Sequence, residues 1–236
     1  MPSFNIIKES VVADSFRTKS VIGQFDLKID GVIREQFTGN IAIENEQWQV
    51  GIIVGASGSG KTTIAKQIFG DYYSNDFTYG TKAVIDEMPD GLTVEQITSM
   101  FNSVGFATVW SWLKPYHVLS NGEKMRVDLA RAILSSKQDD LIVFDEFTSV
   151  VDRTVAKTAS YAISRSIKKT QKKFIAVACH YDIIEWLQPD WVYDTNEQRF
   201  FFAETNQTEI SSDQQCQLKS ENVQRKYGDY FGNITI

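Results

Sequence analysis

Eight residues, Gly55-Ala56-Ser57-Gly58-Ser59-Gly60-Lys61-Thr62, constrain this chain more than any others. Before them runs Val50–Val54, continuously apolar, which suits a strand buried on both faces. After them, Lys61–Phe69 places Ile64 and Ile68 on one helical face and stops at Gly70, a common helix terminator. A buried strand that passes through a glycine-rich turn into a helix makes an anion site. The glycines let the backbone curl until successive N–H groups point inward, and the helix adds its positive end. On this pattern Lys61 reaches the outer phosphates of a nucleotide, and the Thr62 hydroxyl, followed by Thr63, suits Mg²⁺.

Around this motif, short apolar runs alternate with helical patterns. Leu141–Phe144 and Phe174–Ala178 read as two more buried strands, and Trp191–Tyr193 with Arg199–Phe202 as a hairpin turning at Asn196. Thr93–Val104 carries Val94, Ile97 and Phe101 on one stripe. The helix opening at Asn121-Gly122 and reaching about Ser135 buries Val127, Ala130, Ile133 and Leu134. Thr154–Lys168 repeats Val155, Ala159, Ile163 and Ile167. Upstream, the alternation of Phe25, Leu27 and Ile29, and the run Ile41-Ala42-Ile43, read as strands, and another is expected around Ala83–Ile85. The pattern is that of an α/β P-loop NTPase: a mostly parallel sheet flanked by helices, an N-terminal antiparallel β region, and a compact helical insertion at about 89–122. The expected domain covers 1–203, followed by a polar tail at 204–236. At 236 residues with 42% hydrophobic content, one large α/β domain is affordable.

Leu141–Phe144 ends in Asp145-Glu146. Two carboxylates at the C-terminal edge of a sheet lie where open α/β folds bind ligands. Asp145 would hold Mg²⁺ and Glu146 would polarise an attacking water and accept its proton. Leu119-Ser120-Asn121-Gly122-Glu123, running into Lys124–Ile133, resembles the signature turn of the ABC-type ATPases. The same residues also read as a helix cap, since Ser120 and Glu123 have capping-box spacing. In that family the turn meets the γ-phosphate held by a second subunit, so Ser120, Asn121, Gly122 and Glu123 join Gly55–Thr63 as expected nucleotide contacts. Ser149-Val150-Val151-Asp152 resembles the family's D-loop, with Asp152 facing the dimer interface. His180 lies 34 positions after Glu146 and resembles the switch histidine. The resemblance spans about 40–200 and implies ATP and Mg²⁺ as ligands, Lys61, Glu146 and His180 as catalytic residues, and a homodimer that closes on ATP.

The chain departs from that family in places. Only 57 positions separate Thr62 from Leu119, a shorter insertion than membrane transporters use to dock on a pore. At the lid position, where the family has glutamine, Asp86 or Glu87 follows the expected strand at Ala83–Ile85. Phe25 and Phe37 are both available as the aromatic that stacks on adenine. The stretches Trp112–Ser120 and His180–Val192 are similar to a soluble subfamily whose longer members carry an acetyltransferase domain. Three classes of work stay open: a soluble ATPase, the ATPase subunit of a transporter, and an ATP-driven switch for a protein or nucleic-acid partner.

The remaining features bear on those classes. The net charge of −6 and a pI near 5.0 argue against a general nucleic-acid surface. Arg165, Lys168, Lys169, Lys172 and Lys173 form one basic run, read as a solvated helix end or as a phosphate contact. Trp110 and Trp112 suit either a docking surface or packing of the insertion, and His117 reads as structural. Cys179 and Cys216 lack metal-ligand spacing and read as reduced thiols. No stretch has the length and apolarity of a membrane span, and the N-terminus lacks a secretory pattern, so the expected location is the cytoplasm, with no direct membrane insertion.

Overall fold

A computed structural model describes residues 3–74, 77–137 and 140–203. The tail expected at 204–236, with Cys216, lies outside the described residues. Five strands form the central sheet: β3 (Val50–Val54), β4 (Leu141–Phe144), β5 (Lys173–Ala178), β6 (Trp191–Asp194) and β7 (Arg199–Phe202), in the order β4-β5-β3-β6-β7. All neighbours are parallel except the β6–β7 hairpin. Asp190 sets the start of β3: its carboxylate accepts the N–H groups of Gln49 at 2.7 Å and Val50 at 2.9 Å.

Alternation along the strands divides the core in two. Val50, Ile52 and Val54 point to one face, with Ile142, Phe144, Phe174, Ala176 and Val192. That face is covered by α3 (Val94–Ser103), α5 (Asn121–Ser135), α6 (Arg153–Ile167) and α7 (Ile183–Leu187). Ile53, Val143, Ile175, Val177, Trp191 and Tyr193 point the other way, against α2 (Lys61–Phe69) and the residues Ile41, Ile43 and Trp48. Gly51 is required here, because a Cβ at that position would lie 2.1 Å from the Trp191 ring. Helices therefore flank the sheet on both faces, as the residue pattern implies.

The N-terminal antiparallel region exists, but not where the alternation of Phe25, Leu27 and Ile29 puts it. The strands are β1 (Ser3–Val11) and β2 (Val32–Asn40), paired with Ile6 opposite Phe37 and Lys8 opposite Glu35. Between them, Ser15 and Thr18 form a capping box that starts α1 (Phe16–Gln24), and Phe25 becomes its C-cap. Local side-chain bonds to the backbone override a three-residue alternation there. Ile41 and Ile43 are buried without joining a strand.

Ala83–Ile85 is likewise no strand. Ala83 makes one bridge to Pro115, and Val84–Glu87 is a 3₁₀ turn. The insertion continues through α3, α4 (Val109–Trp112) and a 3₁₀ turn at Tyr116–Val118. Its two tryptophans divide. Trp112 is buried and donates its indole N–H to the Phe106 carbonyl at 2.8 Å, whereas Trp110 is 78% exposed. The helix stripes hold except at their first residues: Val94 is 67% exposed while Ile97 and Phe101 are buried, and in α6 Ala156 rather than Val155 is buried together with Ala159, Ile163 and Ile167. Gly70 keeps right-handed angles and opens a 3₁₀ turn, Gly70–Tyr72, instead of ending α2 in the left-handed region.

Candidate functional site

Three neighbouring strand ends define the site. The glycine-rich loop leaves β3, Asp145-Glu146 leave β4, and Cys179-His180 leave β5, with β5 lying between the other two. Adjacent strands are about 4.8 Å apart, so topology alone gathers these residues within roughly two strand spacings. A cavity of about 300 Å³ opens there, lined by Ser57, Gly58, Gly60, Lys61, Thr62, Thr63, Glu146 and Cys179, and by Lys8, Glu35 and Phe37 of the β1–β2 ribbon. A larger groove of about 770 Å³ between α3 and α6 contains none of the motif residues.

The loop has the curled backbone that its glycines imply. Gly58 and Gly60 have φ of 80° and 86°, and a Cβ on Gly60 would lie 2.3 Å from the Phe37 ring. Lys61 folds back and donates to the Ala56 carbonyl at 2.7 Å. From behind, the loop is held by the turn after β6. The hydroxyls of Ser59 and Thr195 are 2.5 Å apart, and Ala56 N–H donates to the Asn196 side chain at 3.3 Å. Asn196 also donates to the Tyr181 hydroxyl at 3.1 Å, which donates to Asp194 at 3.1 Å. The residue after His180 is thereby tied to the back of the loop.

Asp145 is 4% exposed, and Glu146 is exposed. Glu146 has φ of 51° and Thr148 of 66°, both in the left-handed region. Between them Phe147 is fully buried, edge-on to Phe144 and Phe174, and its N–H donates to the Val177 carbonyl at 2.8 Å. This anchor holds a turn whose conformation costs a non-glycine residue about 1 kcal/mol or more. The Asp145 carboxylate accepts the Glu146 N–H at 2.8 Å and a hydrogen bond from the Tyr73 hydroxyl. The Thr62 hydroxyl and the Asp145 carboxylate are hard oxygen donors of the kind that suit Mg²⁺. Among the described residues no group of three His, Cys, Asp or Glu could hold a metal ion alone.

Tyr73 was not singled out by the sequence. Tyr73 bridges in parallel to Val143, and Ser74 N–H donates to the Val143 carbonyl at 2.9 Å. The segment that leaves the sheet beside β4 therefore begins at Tyr73, whereas Asp86 and Glu87 lie in the later 3₁₀ turn, Val84–Glu87. Glu87 accepts the N–H groups of Gly80 at 3.1 Å and Lys82 at 3.3 Å. Of the two aromatic candidates, Phe37 lines the cavity, while Phe25 is 64% exposed at the end of α1. Lys8 and Glu35 line the cavity from one face of the ribbon, a placement that only the cross-strand register reveals.

Ser120, Asn121, Gly122 and Glu123 do not line this cavity. They open α5, where the capping box forms: Glu123 accepts the Ser120 N–H at 3.0 Å, and Ser120 Oγ accepts the Glu123 N–H at 3.4 Å. Ser111 donates to Glu123 at 2.6 Å. That bond, joined by those from Ser120, holds the Glu123 carboxyl below its ordinary range against the opposing effect of burial. Gly122 packs toward Val155 and Val151. Asp152 caps α6, accepting from Thr154 and Val155 N–H at 3.0 Å each. His180 and His117 are exposed, and Cys179 is a free thiol 3.5 Å from the Ser149 hydroxyl.

Motif order and sheet order together define the class: the fold is that of the ABC-type ATP-binding cassettes, and the chain resembles their nucleotide-binding domain. No protein-family model matches it. Among curated proteins it is 26% identical, over 61% of its own length and 68% of the relative's, to a "probable metal transport system ATP-binding protein" of Thermotoga maritima. Among solved structures it matches a dimeric ATP-binding cassette in a post-hydrolysis state with ADP and phosphate bound, at 13% identity and TM-score 0.56, covering 75% of this chain and 94% of that one. A cassette of the cbiONQ ABC transporter complex from Clostridium perfringens matches at 16% identity and TM-score 0.54, covering 84% and 88%. A bacterial Atm1-family ABC exporter with ATP bound matches at 18% identity and TM-score 0.51, and this chain spans about a third, 33%, of its length. Among the described residues no helix is long and apolar enough to cross a membrane.

Proposed function

We propose that this chain binds ATP·Mg²⁺ and hydrolyses it to ADP and phosphate, in a cytoplasmic homodimer that closes head to tail over two nucleotides and drives a conformational switch. The observation that carries this reading is the cavity walled by Ser57, Gly58, Gly60, Lys61, Thr62 and Glu146. A curled loop of N–H donors and one ammonium group faces a carboxylate there. Gly55–Thr63 hold the phosphates, with Lys61 leaving Ala56 for the outer phosphate. Thr62 and Asp145 hold Mg²⁺, which screens phosphate charge when bound. Glu146, exposed at the cavity, takes the proton of the attacking water, and His180 at the end of β5 contacts the outer phosphate. The cassette comprises 1–203, with 89–122 as its insertion and 204–236 as an appended tail.

The second copy is needed because Ser120–Glu123 open a different helix from the one facing the cavity. Brought by a partner, the α5 N-terminus supplies N–H donors and a positive end to the outer phosphate, with Asp152 near the same interface. The Glu146→Gln variant tests this. At saturating MgATP it should sediment as a dimer with two trapped nucleotides. A monomer under those conditions would remove the shared-site model.

A second reading makes the chain the ATPase subunit of a membrane transporter. It is favoured by what the relatives' descriptions name, a metal transport system and a cbiONQ complex. The short insertion favours the first reading, or a switch acting on a protein or nucleic acid. Recovery of a multi-span membrane protein with the tagged Glu146→Gln form plus ATP supports the transporter; recovery of soluble partners alone supports the switch.

A further inference from the structure

We infer that Tyr73 is a positioning residue that sets the Asp145 carboxylate for its metal ion. The inference rests on the proposed role of Asp145. Asp145 is almost fully buried, and its two oxygens are addressed from two sides. Oδ1 accepts the Glu146 N–H at 2.8 Å, and Oδ2 accepts the Tyr73 hydroxyl. A carboxylate held by one donor swings about its Cβ–Cγ bond; two donors on opposite oxygens fix its plane.

Tyr73 is itself held from two elements, β4 and α2. Its backbone lies beside Val143 in β4, two residues before Asp145, and the Ser74 N–H extends that pairing. Its ring packs with the core around α2 and lies 4.6 Å from the Lys66 ammonium, one turn beyond Thr62 on the same helix. One side chain thus spans the helix that offers the Thr62 hydroxyl and the strand that offers Asp145. The segment that begins at Tyr73 leads to the insertion and to α5, so the hydroxyl also joins the metal-side carboxylate to the root of that excursion. A ligand fixed in advance loses less freedom when the ion arrives, which raises metal affinity without touching the ion.

The test is a Mg²⁺ titration of nucleotide binding in the full chain, comparing the wild type, Tyr73→Phe and Asp145→Asn. A fluorescent ATP analogue reports affinity, and Mn²⁺ bound with ADP is counted by electron paramagnetic resonance. Tyr73→Phe removes one oxygen. It should raise the half-saturating Mg²⁺ and Mn²⁺ concentrations about tenfold, the scale of one hydrogen bond to a charged group. Nucleotide affinity in EDTA should stay at the wild-type value. If Tyr73→Phe titrates like the wild type while Asp145→Asn is shifted, Tyr73 only satisfies a buried carboxylate and the inference fails. If Asp145→Asn is itself unshifted, the metal role of Asp145 falls, and the inference with it. A variant that loses EDTA-resistant nucleotide binding as well as Mg²⁺ response acts through the loop rather than the carboxylate, which also overturns it.

Discussion

Single residues at this site do work that depends on backbone angles few side chains tolerate. Gly60 sits at φ of 86° with the Phe37 ring where a Cβ would go. Gly60→Ala meets both the left-handed penalty of about 1 kcal/mol and a displaced ring. Nucleotide affinity should fall more than tenfold by titration. The melting temperature should drop by about 2–4 °C for each kcal/mol lost. An alanine variant with unchanged affinity would mean that the loop opens before it binds. Glu146 carries the converse burden, a non-glycine residue at positive φ held by the buried Phe147. The motif pattern locates Glu146, but its strain and its anchor belong to the folded turn.

At the level of elements, the start of α5 serves two ends. Ser120 and Glu123 cap one another, and Ser111 adds a third bond from the insertion. The Glu123 carboxyl sits below its ordinary range, so its contribution is full above the unfolded-state value and is lost as pH falls through the folded one. Glu123→Gln should therefore cost stability at pH 7, about 0.5–1 kcal/mol because the group is largely solvated. The gap from the wild type should close as the pH is lowered from about 4. Urea melts at pH 7 and pH 3 measure it, and a gap that persists at pH 3 would assign the effect to packing. The basic run 165–173 resolves in a similar way. Lys172 donates to the Ser136 and Lys137 carbonyls at 2.7 Å and 2.5 Å, Lys168 to the Gln188 carbonyl at 3.3 Å, and Lys173 lies 4.8 Å from the Trp48 ring centroid. Those cations tie loops and a helix end together, which favours the solvated-end reading over a phosphate surface.

The whole molecule raises the question of completeness. In one copy the signature turn and the loop cavity belong to different elements, and the head-to-tail proposal joins them between copies. It predicts complementation. Lys61→Ala loses its own phosphate grip but keeps an intact signature, and a Ser120→Arg copy has the reverse defect. Each alone should hydrolyse ATP at background rates, and a mixture should regain activity because one hybrid site is intact. A mixture as inactive as its parts would show that each copy must supply both halves itself.

Much of this was legible in the residues. The loop, its flanking strand and helix, the paired carboxylates and the α5 cap each depend on short-range chemistry: glycine angles, apolar runs and side-chain bonds to nearby backbone. The sequence alone determined the parallel sheet, the two-sided helical cover and the boundaries of α2. What joins residues far apart in the chain was decided only by the tertiary structure. Tyr73 meets Asp145 across 72 positions because it lies on the edge of β4. Lys8 and Glu35 reach the cavity through a cross-strand register. The strands expected at Phe25–Ile29 and Ala83–Ile85 gave way to a capped helix and a 3₁₀ turn. A three-residue alternation is too weak a signal against local capping, and too weak without a neighbouring strand to accept its hydrogen bonds.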